Sequence, residues 1–109
     1  MSSLDFFSKL FGGLKSAYGT YELNGARREN GKAEGKALTK KGEVTLELFK
    51  KHLSGELSLG IVPIMEDNNC KWGCIDVDKY NGFNPVTIIE QIRKLKLPLF
   101  PYRSKSGGL

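Results

Sequence analysis

Soft metal ligands are scarce in this chain: among 109 residues there is one histidine, His52, and there are two cysteines, Cys70 and Cys74. A closed zinc site needs four thiolate or imidazole ligands, usually with a C-x-x-C pair, so this set excludes one. Cys70 and Cys74 lie four apart on one expected strand, pointing the same way but too far apart to bridge, and they read as small thiols buried beside Trp72. No apolar run reaches the 18 residues of a membrane helix, and Met1 to Phe7 lack the basic start and apolar stretch of a signal peptide, so an intracellular location is expected. His52 sits in an expected helix beside an apolar stripe and reads as a hydrogen-bonded structural group. What the chain does have is positive charge: a formal net charge of +5 with pI near 9.3, the sign expected of a protein that meets a polyanion.

The pattern of apolar residues predicts an α+β arrangement without internal repeats. Residues 4–11 read as a helix opened by Ser3 and ended by Gly12-Gly13. Residues 17–23 alternate as a short strand. Residues 24–41, rich in glycine and lysine, read as a basic loop, either solvated or serving as a flexible arm for a polyanion. Thr45 caps a helix through Leu53 whose stripe is Leu48, Phe49 and Leu53. Residues 58–65 then form a strand with Pro63 at its edge or end, residues 66–69 a turn, and residues 70–78 a second strand. Asn84 caps a helix with Pro85 at its first position and Val86, Ile89, Ile92 and Leu95 on its buried face; Leu97-Pro98 breaks it before a last short strand.

Two clusters carry chemistry. In a strand Asp76 and Asp78 point the same way with Cα atoms about 6.6 Å apart, while Ile75 and Val77 pack inward. Two carboxylates in one small volume repel unless water or cations offset the charge, and one or two Mg²⁺ or Mn²⁺ ions suit carboxylate oxygens. A strand end running into solvent needs no metal, and that reading stays open. The second cluster, Arg103-Ser104-Lys105-Ser106-Gly107-Gly108, combines two cations, two hydroxyls and two glycines. Such a turn can cradle phosphates through backbone N–H groups and charge, although a solvated tail has the same composition. Both clusters follow expected strands that bracket one helix, and in a β-α-β unit such strand ends share one edge of the sheet.

These residues resemble the archaeo-eukaryotic primase superfamily, in the branch of phage and TOTE conflict-system primase-polymerases. The resemblance runs from about Gly31 to Leu109. It rests on Gly60-Ile61-Val62-Pro63-Ile64 within residues 55–64, on Trp72-Gly73-Cys74-Ile75-Asp76-Val77-Asp78 within residues 66–78, and on Arg103 to Leu109. It implies a partial RRM-like core, a mixed sheet with flanking helices, and a single incomplete domain over residues 1–109. It also implies a DNA primase or primase-polymerase that adds nucleoside triphosphates on a single-stranded DNA template, with a fused or associated helicase as a further partner and a bacterial or phage-infected cytoplasm as its setting.

By the same resemblance, Asp76 and Asp78 are the catalytic metal ligands for Mg²⁺ or Mn²⁺. Arg103, Ser104, Lys105, Ser106, Gly107 and Gly108 bind the nucleotide's phosphates. Lys32 and Lys36 fall where the family pattern is rich in Gly-Lys pairs and are candidate nucleic-acid contacts. Two other classes stay open: a metal-dependent nuclease or phosphotransferase using the same acids, and a non-catalytic basic nucleic-acid-binding module. The family's second motif continues with a histidine, and a third acid comes from a later strand, so the 109 residues on their own are expected to be inactive. Sequencing the gene beyond Leu109 checks this: a histidine codon should follow directly, with an acidic residue some way on at the end of an apolar strand, and a stop codon there would contradict it.

Overall fold

The computed structural model describes residues 1–27, 29, 31, 33–104 and 108–109. Their elements are α1 (Ser3–Leu10), β1 (Ala17–Arg27), β2 (Ala33–Lys41), α2 (Leu46–Leu53), β3 (Gly60–Ile61) and α3 (Pro85–Lys94), which make an α+β fold. The chain divides into two compact units, Met1–Gly73 and Cys74–Leu109. Among the described residues no helix is long and apolar enough to cross a membrane.

In the first unit, α1 starts one residue earlier than expected because Ser2, not Ser3, stands three residues before Asp5. The Asp5 N–H donates to Ser2 Oγ at 3.1 Å, and the Ser2 N–H donates back to the Asp5 carboxylate at 3.2 Å, a reciprocal capping box. The Ser2 hydroxyl and then the Ser2 N–H hold the Asp5 carboxyl below its usual range. Thr45 caps α2 as expected, its hydroxyl accepting from the Leu48 N–H at 3.3 Å.

A chain of aromatic rings joins the two helices. Phe7 meets Phe11 at 5.0 Å and Phe49 edge-on at 6.1 Å, and Phe11 meets Trp72 edge-on at 5.7 Å. Edge-to-face contacts of this kind align positive ring edges with negative faces. The Trp72 Nε1–H is satisfied by the Gly12 carbonyl at 3.1 Å. Phe49, 5% exposed, is the one buried apolar side chain among the described residues. Beside it lies a cavity of about 170 Å³ lined by the same rings with His52, Leu59 and Ile61. His52 is structural, as expected: its Nδ1 lies 3.2 Å from the Leu59 N–H. The same nitrogen lies 3.2 Å from the Leu57 carbonyl, and either contact ties α2 to the segment entering β3.

The sheet has the order β2-β1-β3 and is antiparallel throughout its described pairs; the parallel pairing of a mixed sheet is not among them. The basic loop expected over residues 24–41 is largely a strand. β2 pairs with β1 from Ala17↔Lys41 to Leu23↔Gly35, and after an irregularity Arg27 faces Ala33. Glycine and lysine argue against a strand in isolation, but strand stability comes chiefly from cross-strand partners. Glu22 opposite Lys36 and Thr20 opposite Leu38 supply these. Gly35 has a specific role, because a Cβ there would come within 2.7 Å of the Tyr21 ring.

The strand expected over residues 58–65 is reduced to Gly60–Ile61, where Gly60 meets Gly19 backbone to backbone, and Pro63 two residues on cannot donate to a ladder. The turn at residues 66–69 does form, with the Met65 N–H donating to the Asn69 carbonyl at 2.8 Å. No strand follows it, however: residues 70–78 form none, and both cysteines, expected to be buried, are exposed.

In the second unit, Asn84 caps α3 through the Val86 N–H at 3.0 Å, with Pro85 at the first helical position. The helix ends in a Schellman arrangement: the Leu97 N–H reaches the Ile92 carbonyl and the Lys96 N–H the Arg93 carbonyl, with Lys96 at φ +53°. Its expected buried face is only partly covered. Ile89 and Ile92 are half-buried, but Val86 is 60% and Leu95 62% exposed.

Because the first unit closes on one buried ring, Phe49→Ala should destabilise it by about 3 kcal/mol or more. Urea unfolding followed through Trp72, the chain's single tryptophan, measures this; a change below about 1 kcal/mol would show that the aromatic chain does not hold the unit.

Candidate functional site

The second unit brings the two chemical clusters together. The Val77 N–H donates to the Leu109 carbonyl at 2.8 Å, and the Leu109 N–H donates back to the Val77 carbonyl at 3.1 Å. A reciprocal exchange of this kind defines a hydrogen-bonded antiparallel pair. Asp76 and Asp78 therefore flank a residue locked to the end of the glycine-containing turn. The join is not the one expected from a β-α-β unit, because neither cluster stands at the end of an assigned strand. Ile75, expected to pack inward, is 68% exposed, while Val77 is half-buried.

The path between the clusters is locally determined. After Asp78 the chain turns at residues 80–83, where the Phe83 N–H donates to the Tyr80 carbonyl at 2.9 Å, Gly82 adopts φ +86° and the two rings meet edge-on at 6.0 Å. That turn delivers Asn84 to cap α3. The helix carries the chain out and its Schellman end sends it back through residues 97–103.

The turn that returns to Val77 closes on itself, since the Ser104 N–H donates to the Gly108 carbonyl at 2.8 Å. Gly108 is buried, and a Cβ there would run into the Val77 carbonyl oxygen and lie 3.3 Å from Ser104 Oγ. Glycine is therefore required by the approach of chain to chain, before any ligand is considered. The sequence reading assigned Gly108 to phosphate and missed this contact, and it gave Val77 and Leu109 no pairing role. The available signal was an apolar residue directly after Gly107-Gly108, matched to the apolar residue between the two acids.

Of the other site residues, Asp76, Asp78 and Arg103 are exposed and Ser104 is half-buried. Lys105, Ser106 and Gly107 lie outside the described residues, as does Lys32. Lys36 stands exposed on β2 in the first unit, opposite Glu22. Among the described residues no group of three or more His, Cys, Asp or Glu side chains is arranged to hold a metal ion. That donor set does not fit a closed zinc site. Asp76 and Asp78 are two exposed carboxylates, the donor type that Mg²⁺ or Mn²⁺ prefers, ions that keep several waters when bound.

A family model described as the TOTE conflict system archaeo-eukaryotic primase domain matches residues 4–108. No curated protein and no solved structure matches the chain.

The close approach at Gly108 has a direct test. Gly108→Ala should force the turn away from Val77 at a cost of about 1–3 kcal/mol. Amide hydrogen exchange should then speed up at Val77 and Leu109 while staying unchanged at Phe49. Unaltered protection at Val77 would show that the reciprocal pair tolerates a side chain at this position.

Proposed function

Because the chain belongs to the TOTE conflict-system archaeo-eukaryotic primase domain family, we propose that it carries the metal-binding acids and the phosphate-binding turn of a template-directed nucleotidyltransferase. In this reading the protein is a DNA primase or primase-polymerase that takes nucleoside triphosphates and a single-stranded DNA template. The observation that supports the reading most is the Val77–Leu109 pair, which joins an acid pair to a basic, glycine-containing turn.

Each group has a defined task in this scheme. Asp76 and Asp78 would hold Mg²⁺ or Mn²⁺, which when bound neutralises charge on the triphosphate and activates the attacking hydroxyl. Arg103 binds phosphate oxygens through its planar fork of donors, with Ser104 and, from the sequence, Lys105 and Ser106 adding donors from the same turn. The Ser104–Gly108 hydrogen bond and the Val77–Leu109 pair support this reading, since they bring both ends of the basic segment near the residue between the two acids. Catalysis then rests on orientation and electrostatics rather than on covalent participation by the protein. The competing readings differ in what the acids do. A nuclease would use them to cleave rather than extend, and a non-catalytic module would not use them at all.

In the natural protein, Asp76→Asn or Asp78→Asn should abolish primer synthesis and extension with either metal while single-stranded DNA binding persists. Arg103→Ala should raise KM for nucleoside triphosphate about 10- to 100-fold, the range expected for losing a hydrogen bond to a charged group. An Asp76→Asn enzyme extending primers at the wild-type rate would defeat the reading, and metal-dependent DNA cleavage without synthesis would favour the nuclease.

A further inference from the structure

We propose that the β1–β2 hairpin is a docking surface for single-stranded DNA, centred on Lys40 and Lys36 of β2. The choice of DNA rests on the function proposed above; the surface itself rests on the register. Residues 24–41 hold six of the chain's 17 Lys and Arg residues but only two of its 12 acids, so the positive charge of the chain is concentrated there. Of these six, Arg27, Lys36, Lys40 and Lys41 lie on paired strands, which gives their charge a fixed spacing. Lys36 and Lys40 are four residues apart on β2, so they share one face about 13 Å apart. Both are exposed, as is Lys41 beside them. β2 is the outer strand in the order β2-β1-β3, so its far edge is unpaired among the described residues.

The cross-strand partners refine the assignment. Lys40 stands opposite Tyr18, which is half-buried and can offer part of a ring to a base. Lys36 stands opposite Glu22, whose carboxylate offsets part of its charge. Lys40 is therefore the stronger phosphate contact of the two, and Glu22 weakens binding. A lysine-bearing edge strand has another known use, in which the charges only prevent edge-to-edge association of sheets. That use makes no distinction between Lys36 and Lys40 with respect to DNA and gives Glu22 no effect on it.

The test is fluorescence anisotropy of a labelled oligothymidylate titrated with the natural protein over a series of salt concentrations. Lys40→Ala and Lys36→Ala should each lower the slope of log affinity against log salt by about 0.7, the value for one phosphate contact on a single strand. Lys40→Ala should weaken binding more than Lys36→Ala, and Glu22→Gln should tighten it. Arg93→Ala on α3 removes the same single charge elsewhere and should leave the slope unchanged. Equal losses from the α3 and hairpin variants would overturn the proposal in favour of diffuse net charge. Normal binding by the hairpin variants accompanied by aggregation would overturn it in favour of edge protection. Tighter binding of duplex, or of oligouridylate, than of oligothymidylate would overturn the choice of partner.

The catalytic reading is scored separately by nucleotide addition. If the lysine variants bind normally while Asp76→Asn abolishes synthesis, the hairpin assignment falls and the catalytic reading stands. If the lysine variants lose the oligonucleotide while Asp76→Asn leaves synthesis intact, the catalytic reading falls and the DNA surface stands.

Discussion

Two backbone hydrogen bonds between Val77 and Leu109 decide the layout of the second unit, because little else there could. The one buried apolar side chain among the described residues, Phe49, belongs to the first unit. In the second unit the apolar residues of α3 are half-buried or exposed, so burial does not dictate how the returning chain lies against the acid pair. Directional bonds do. A reciprocal pair fixes separation and register at once, and it needs a neighbour without a side chain where the backbones cross. Gly108 meets that requirement, and the Ser104–Gly108 closure transmits the constraint to the start of the turn.

The first unit is organised differently. Its helices are short, eight residues each, and isolated helices of that length are marginal in water. They persist because their caps are satisfied and because Phe7, Phe11, Phe49 and Trp72 touch in sequence. His52 adds a polar tether from α2 to Leu59, one residue before β3. Gly60 and Gly19 then let that strand approach β1 closely enough to pair. The result is a helical pair held to a sheet by one ring cluster and one imidazole.

How far the sequence could be read depended on where each signal lay. Thr45 and Asn84 marked the starts of α2 and α3 correctly because capping is written within four residues of chain. The acid pair and the basic segment stand out in the sequence because residue type and spacing are visible there without any structure. The β2 strand was not legible, since its lysines and glycines become strand residues only opposite Glu22, Thr20 and Tyr21. The strand expected at residues 70–78 failed for the converse reason. Its alternation was real, but the backbone found a partner at Val77 only, so Ile75 and the two cysteines stayed exposed.

The same distinction bears on how glycines in phosphate-binding turns are read. Gly107-Gly108 suggested backbone N–H groups free to approach a polyphosphate, which is the usual reason for glycine in such a turn. The Gly108 carbonyl, however, is taken by the Ser104 N–H, and its Cα lies against the Val77 carbonyl. Its missing side chain is accounted for by protein contacts. The ends of the segment, Ser104 and Gly108, are therefore held by contacts within the protein itself.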